Sequence, residues 1–253
     1  MYIKVENISK YNDDNHNKNI ILDNINFQVN KGEFVCLFGP SGSGKSTLLN
    51  ILAGFEKPSE GSVTFSDKEL SQSTIKQISI FENYPLPSWL TVEENIKLAL
   101  EGKVKINQDI INNFLQIFNL STYAQSVTAT LPEEIKQKVI LTQNLTLNPD
   151  IILMDEPFKR LDLLAKIKLQ EDFKKLCQKC KLTVIFITSD IDEAIFLADR
   201  IVLMTPNPGK IKKIIPVSIG QRKVHNSYDF LKIRDHIIWE FKEEAEDSIE
   251  YYI

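Results

Sequence analysis

Gly39-Pro-Ser-Gly-Ser-Gly-Lys-Ser-Thr47 follows the apolar run Phe34-Val-Cys-Leu-Phe38 and precedes Leu48-Leu-Asn-Ile-Leu-Ala53. Strand, glycine-rich turn and helix start come in that order with the spacing G-x-x-x-x-G-K-S, which reads as a P-loop. Glycines let the backbone wrap a phosphate, so that successive N–H groups point at it. The helix that follows adds its positive dipole end to the same anion. The nucleotide-binding candidates are therefore Gly39, Pro40, Ser41, Gly42, Ser43, Gly44, Lys45, Ser46 and Thr47. Lys45 supplies a point charge for β- and γ-phosphates, and the Ser46 hydroxyl is a hard oxygen ligand suited to Mg²⁺. A turn that merely matches the spacing is the alternative, and the flanking strand and helix argue against it.

The chain around this stretch has 253 residues, enough for one large domain or a core with an inserted lobe. Hydrophobic residues make up 43% and charged residues 25%, which is ordinary for a globular protein. A net charge of -4 gives no reason to expect nucleic acid as a partner. Cys36 lies in an apolar strand and reads as a small core residue. Cys177 and Cys180 have C-x-x-C spacing without a second pair or a nearby His, so a helix face is the simpler reading than a metal site. An odd number of cysteines and no secretory signal fit a reducing compartment. No run approaches ~18 apolar residues, the length that would span a bilayer.

Residues 1–5 and 20–29 read as strands joined by a polar loop over 12–19. Further strands are expected at 62–65 and 78–81. From 91 to about 148 the apolar period becomes helical, with 92–100, 110–118 and 131–145 as the clearest segments. Pro132 and the acidic pair behind it fit a first helical turn. Residues 150–155 form a continuous apolar strand ending in acid, as in a buried parallel sheet. Helix 163–177, strand 183–188, helix 192–198 and strand 201–204 follow, and a helix over about 228–245 closes the chain. This alternation is α/β.

Asp155-Glu156-Pro157 stands at a strand end downstream of a P-loop. Asp155 fits an acid that holds Mg²⁺ and Glu156 a base that orients an attacking water. The P-loop, Ile151-Ile-Leu-Met-Asp-Glu-Pro-Phe158, Leu161-Asp162 and Thr188-Ser-Asp-Ile-Asp-Glu-Ala194 together resemble an ABC transporter ATPase subunit. Pro85-Leu-Pro-Ser-Trp-Leu-Thr-Val-Glu-Glu-Asn95 and the segment 199–209 resemble its nitrate, sulfonate and taurine importer branch. The resemblance covers almost the whole chain. It implies a single domain with a RecA-like P-loop core, an N-terminal antiparallel β lobe and an inserted helical subdomain. The corresponding boundaries are 1–82 with 146–205 for lobe and core, 83–145 for the helical part and 206–253 for a tail.

By the same resemblance the chain is a peripheral protein on the cytoplasmic face of the membrane. It binds ATP and Mg²⁺ between two head-to-tail ATPase subunits and moves transmembrane permease subunits, with a solute-binding protein as a further partner. Tyr11 matches the aromatic that stacks on adenine, although a strand-end tyrosine packed on the sheet is the alternative. Asp162 matches a dimer-interface loop, or else simply caps a helix. Residues 85–90 lie where permease subunits dock, and Trp89 could equally be a core aromatic.

Three positions depart from the family pattern. Glu82 stands where a Gln touches Mg²⁺ and the attacking water. Leu131-Pro-Glu-Glu134 aligns with a Leu-Ser-Gly-Gly signature that holds the partner's γ-phosphate. Pro132 brings neither hydroxyl nor N–H, and Glu133 and Glu134 put carboxylates where an anion should sit. At contact distance each like-charge pair costs about 1–4 kcal/mol. Ser189 replaces a His that contacts the γ-phosphate. The expectation is a subunit that binds MgATP, hydrolyses it poorly alone and pairs with a different ATPase subunit. A fully active homodimer is the alternative.

Overall fold

The computed structural model describes residues 2–14, 17–66, 68–69, 76–81, 86–102, 107–219 and 227–250. Two sheets organise it. The first is antiparallel, in the order β2–β1–β4–β5, from β1 (Ile3–Asp14), β2 (Asn17–Val29), β4 (Glu60–Phe65) and β5 (Lys68–Glu69). The second has the order β10–β9–β3–β8–β7–β6. Its members are β3 (Phe34–Phe38), β6 (Gln77–Ile80), β7 (Ile151–Asp155), β8 (Thr183–Ile187), β9 (Arg200–Met204) and β10 (Ile211–Pro216). All neighbours in it are parallel except β10, which runs antiparallel to β9.

The central strands are buried on both faces, and the two-residue period of a strand sorts their side chains into two cores. Phe34, Cys36 and Phe38 join one core with Ile152, Met154, Val184 and Phe186. Val35 and Leu37 join the other with Ile151, Leu153, Ile185 and Ile187. The second core is completed by the antiparallel sheet and by Leu48, Leu49, Ile51 and Leu52 of α1 (Lys45–Ala53). The first is completed by α2 (Val92–Leu100), α3 (Gln108–Ile117), α4 (Glu133–Leu145), α5 (Leu163–Cys180), α6 (Ile191–Leu197) and α7 (Tyr228–Glu250). Burying such a side chain stabilises by roughly 1.5–3 kcal/mol, so strands feeding both cores are fixed in register and in the position of their ends.

Several sequence expectations are corrected. The stretch 12–19, expected as a loop, largely extends the hairpin: Asn12 pairs with Asn19 and Asp14 with Asn17. Pro132 is the residue before α4, with ψ 154, and not its first helical residue. Trp89 is 76% exposed, which removes the core-aromatic alternative. Glu82 and Pro85 lie outside the described residues.

Candidate functional site: a phosphate cleft at the strand ends

β8 lies between β3 and β7, so three loops leave adjacent strands at their C-terminal ends. Open α/β sheets bind ligands at that edge. The first loop, 39–44, packs too tightly for a side chain at two of its glycines. A Cβ at Gly39 would meet the Met204 carbonyl at 2.4 Å. Gly44 has φ +72, and a Cβ there would meet Leu22 Cδ2 at 2.5 Å. The Ser43 hydroxyl donates to the Pro40 carbonyl (2.8 Å) and braces the loop from inside. The Lys45 ammonium donates to the carbonyls of Gly39 (2.7 Å) and Pro40 (2.9 Å), which hold it across the loop. Burial draws the Lys45 pKa down, while the carboxylates of Glu156 and Asp155 work against that shift.

α1 then starts with no acidic residue in its first turn and no side chain capping its amides. Its N-terminal N–H groups and dipole are left for an anion.

The facing wall comes from β7. Asp155 is in register with Ile187 at the strand end. Glu156 has φ 47, a left-handed conformation that costs a non-glycine residue of order 1–3 kcal/mol. Its N–H donates to the Ile187 carbonyl (3.0 Å), so β8 fixes this turn. Between the walls is an open cleft of about 370 Å³, lined among others by Gly42, Lys45, Ser46, Thr47, Asp155 and Glu156. Among the described residues no group of three or more His, Cys, Asp or Glu side chains forms a self-sufficient metal site. Ser46 and Asp155 do face the same cleft, and one hydroxyl plus one carboxylate is a donor set that suits Mg²⁺ carried by substrate phosphates.

Tyr11 and Ser189 do not line this cleft. Tyr11 sits in β1 opposite Ile20, its N–H donating to Ser59 Oγ (3.1 Å). Ser189 is exposed just beyond β8. Asp162 caps α5, accepting from the N–H groups of Leu164 (3.1 Å) and Ala165 (3.0 Å).

Two features escaped the sequence reading. Lys159 lines the cleft beside Glu156. The turn 205–210 stands behind the phosphate loop: Gly209 exchanges backbone hydrogen bonds with Ile21 and Asp23 (2.9 Å each), and a Cβ on it would meet the Ser43 carbonyl at 2.4 Å. The proline and glycine of this turn were legible, but nothing local to it announces what it touches.

α4 opens differently. Glu133 and Glu134 occupy its first turn, and Pro132 before it has no N–H. The acids are paired locally. Glu133 lies 3.6 Å from Lys136 and 3.8 Å from Arg160, and Glu134 pairs with the buried Lys138. Gln137 Nε2 donates to the Pro157 carbonyl (2.6 Å), tying α4 to the turn that follows Glu156. A part-buried network also joins α5 to α6: Lys166 reaches Asp190 (2.6 Å) and the buried Glu193 (3.0 Å), and Gln170 donates to Glu193 (2.9 Å).

A family model described as "ABC transporter" matches residues 22–159. The aliphatic sulfonates import ATP-binding protein SsuB of Bacillus cereus (strain ZK / E33L) is 38% identical over 242 residues, covering 96% of each chain. The bicarbonate transport ATP-binding protein CmpD of Synechococcus elongatus is 38% identical over 215 residues, covering 82% of this chain and 76% of its own. Among solved structures, a chain from the dimeric structure of MJ0796, a bacterial ABC transporter cassette, superposes with a TM-score of 0.74 at 28% identity, covering 86% of this chain and 99% of that one.

Proposed function

The chain belongs to the ABC transporter family, and from that premise we propose that it is the MgATP-binding subunit of a small-solute importer. It lies peripherally at the cytoplasmic face of the membrane and drives permease subunits. The observation that carries the nucleotide assignment is the cleft itself: Lys45 and the uncapped start of α1 face Asp155 and Glu156 across it. In this reading the α1 amides and Lys45 hold the β- and γ-phosphates. Ser46 and Asp155 hold Mg²⁺, with Glu82 near it by resemblance. When bound, Mg²⁺ neutralises charge on the phosphate oxygens. Glu156 orients the attacking water and accepts its proton. Ser189 takes the place of a cationic contact and can offer only a hydrogen bond. Tyr11 stacks on adenine at the hairpin edge. The relatives named for sulfonate and bicarbonate transport support an importer, with a solute-binding protein as the outermost partner.

We further propose that hydrolysis is impaired and that the working dimer includes a different ATPase subunit. A homodimer would present Pro132, Glu133 and Glu134 to both nucleotides. A fully active homodimer is the second reading, and the pairing of Glu133 with Arg160 and of Glu134 with Lys138 favours it by neutralising those acids. Turnover of the purified chain decides between them. The impaired subunit gives slow turnover alone, faster turnover with its partner, and MgATP binding unaltered by Glu156→Gln. Rapid turnover by the chain alone, abolished by Glu156→Gln, establishes the second reading.

A further inference from the structure

Among the described residues, four charged ones line the phosphate cleft: Lys45 and Lys159, Asp155 and Glu156. Neither the glycine-rich motif nor the aspartate–glutamate pair calls for Lys159, which comes from the short turn joining β7 to α5. That turn is firmly seated. Phe158 is fully buried in the core, the Pro157 carbonyl accepts from Gln137, and the N–H groups of Lys159 and Leu161 donate to the carbonyls of Glu156 and Phe158 (3.3 Å each). The backbone of Lys159 is thus fixed one turn beyond Glu156, and the residue is exposed and lines the cleft.

We propose that Lys159 is a second cationic ligand of the nucleotide, contacting its terminal phosphate and favouring the triphosphate over the diphosphate. This rests on reading the cleft as the MgATP site. Lys45 is held by the loop carbonyls of Gly39 and Pro40, on the β3 side of the cleft. A phosphate that reacts with a water oriented by Glu156 lies between Lys45 and the acidic wall, so its far side faces that wall. Without Lys159 that wall would hold, among the described residues, two carboxylates and no cationic side chain, leaving Mg²⁺ alone to offset their repulsion of the phosphate. Lys159 places an ammonium on the same wall, where a diphosphate, one group shorter, would not reach. An ammonium–phosphate hydrogen bond is charge-assisted, but a solvent-exposed one is screened, so the effect is moderate.

The test uses the full chain and four proteins: wild type, Lys159→Ala, Lys159→Arg and Lys45→Ala. Affinities for MgATP and MgADP are measured by calorimetry at two salt concentrations. The expected result is that Lys159→Ala weakens MgATP about 5- to 10-fold and MgADP less than about 2-fold, with a shallower salt dependence for MgATP. Lys159→Arg keeps most of the wild-type affinity. An unchanged MgATP affinity, or an equal loss for both nucleotides, in Lys159→Ala overturns the inference. Lys45→Ala separates this from the parent reading: if it leaves both affinities intact, the cleft is not the nucleotide site at all. Because Lys159 is exposed, an unaltered melting temperature in Lys159→Ala shows that any change in affinity is local.

Discussion

Two helices in this fold begin with the same physical resource and use it in opposite ways. α1 starts with free amides, no acid in its first turn and a lysine beside it. α4 starts after a proline and fills its first turn with Glu133 and Glu134. Both helices are stable, because a carboxylate at a helix N-terminus satisfies the dipole as well as a phosphate would. The contrast separates folding from binding. The α4 start satisfies its dipole internally, while the α1 start leaves that task to a ligand.

The contrast is broken most severely by giving α1 what α4 has. Thr47→Glu puts a carboxylate into the first turn of α1, on the wall of the cleft. The helix should persist, while MgATP affinity falls about 5- to 1000-fold, the equivalent of one like-charge contact of about 1–4 kcal/mol. Calorimetry reads the affinity and circular dichroism the helix. Retained affinity would mean that the α1 amides do not hold the phosphates.

A smaller effect sharpens the α4 side. Arg160→Ala removes a cation next to Glu133, in a pair whose members are about half exposed. The melting temperature should move by no more than about 4 °C, since such surface pairs contribute about 0–1 kcal/mol. Turnover of the assembled complex should fall about 2- to 5-fold, because an unneutralised Glu133 repels a neighbouring phosphate more strongly. Unchanged turnover would mean that Glu133 faces no nucleotide.

The smallest expected effect lies in the network behind the cleft. Burial pushes the Glu193 carboxyl up to about 7, against the opposing pull of Lys166. Between its ordinary value of 4.5 and about 7, the folded chain holds a proton that the unfolded chain has released. Stability therefore falls as pH rises through that window. Glu193→Gln removes this decline, so its melting temperature relative to wild type should rise between pH 5 and pH 8. Parallel curves would show that Glu193 does not titrate there.

The sequence made legible whatever is carried by contiguous residues. The phosphate loop, the acids ending β7 and the order of strands and helices all have local signatures, because glycine conformations, apolar runs and helix starts are local matters. Most of what it hid depends on segments far apart in the chain. Polar residues such as Asn12 and Asn19 disfavour strands by propensity, yet the hairpin ladder pairs them with each other. The Thr91 and Glu94 capping box that starts α2 was present in the residues and went unread. Gly209 looked like a tail turn, and only the fold brings it against Ser43. Lys159 belongs to no motif, and its importance comes from the cleft it faces. The pairing of Glu133 with Arg160 also needed three dimensions, whereas Lys136 and Lys138 stand at helix spacing from the two acids; together these pairs temper the repulsion inferred from the acids' identity alone.

The most direct measurement replaces Pro132-Glu133-Glu134 with Ser-Gly-Gly and follows both MgATP affinity and steady-state turnover of the assembled complex. An open α1 start and an acid-blocked α4 start predict unchanged affinity and turnover raised about tenfold or more, as expected when donors to a phosphate are restored. Turnover that is already rapid in the unaltered complex, and that stays level or falls after the replacement, would contradict this account.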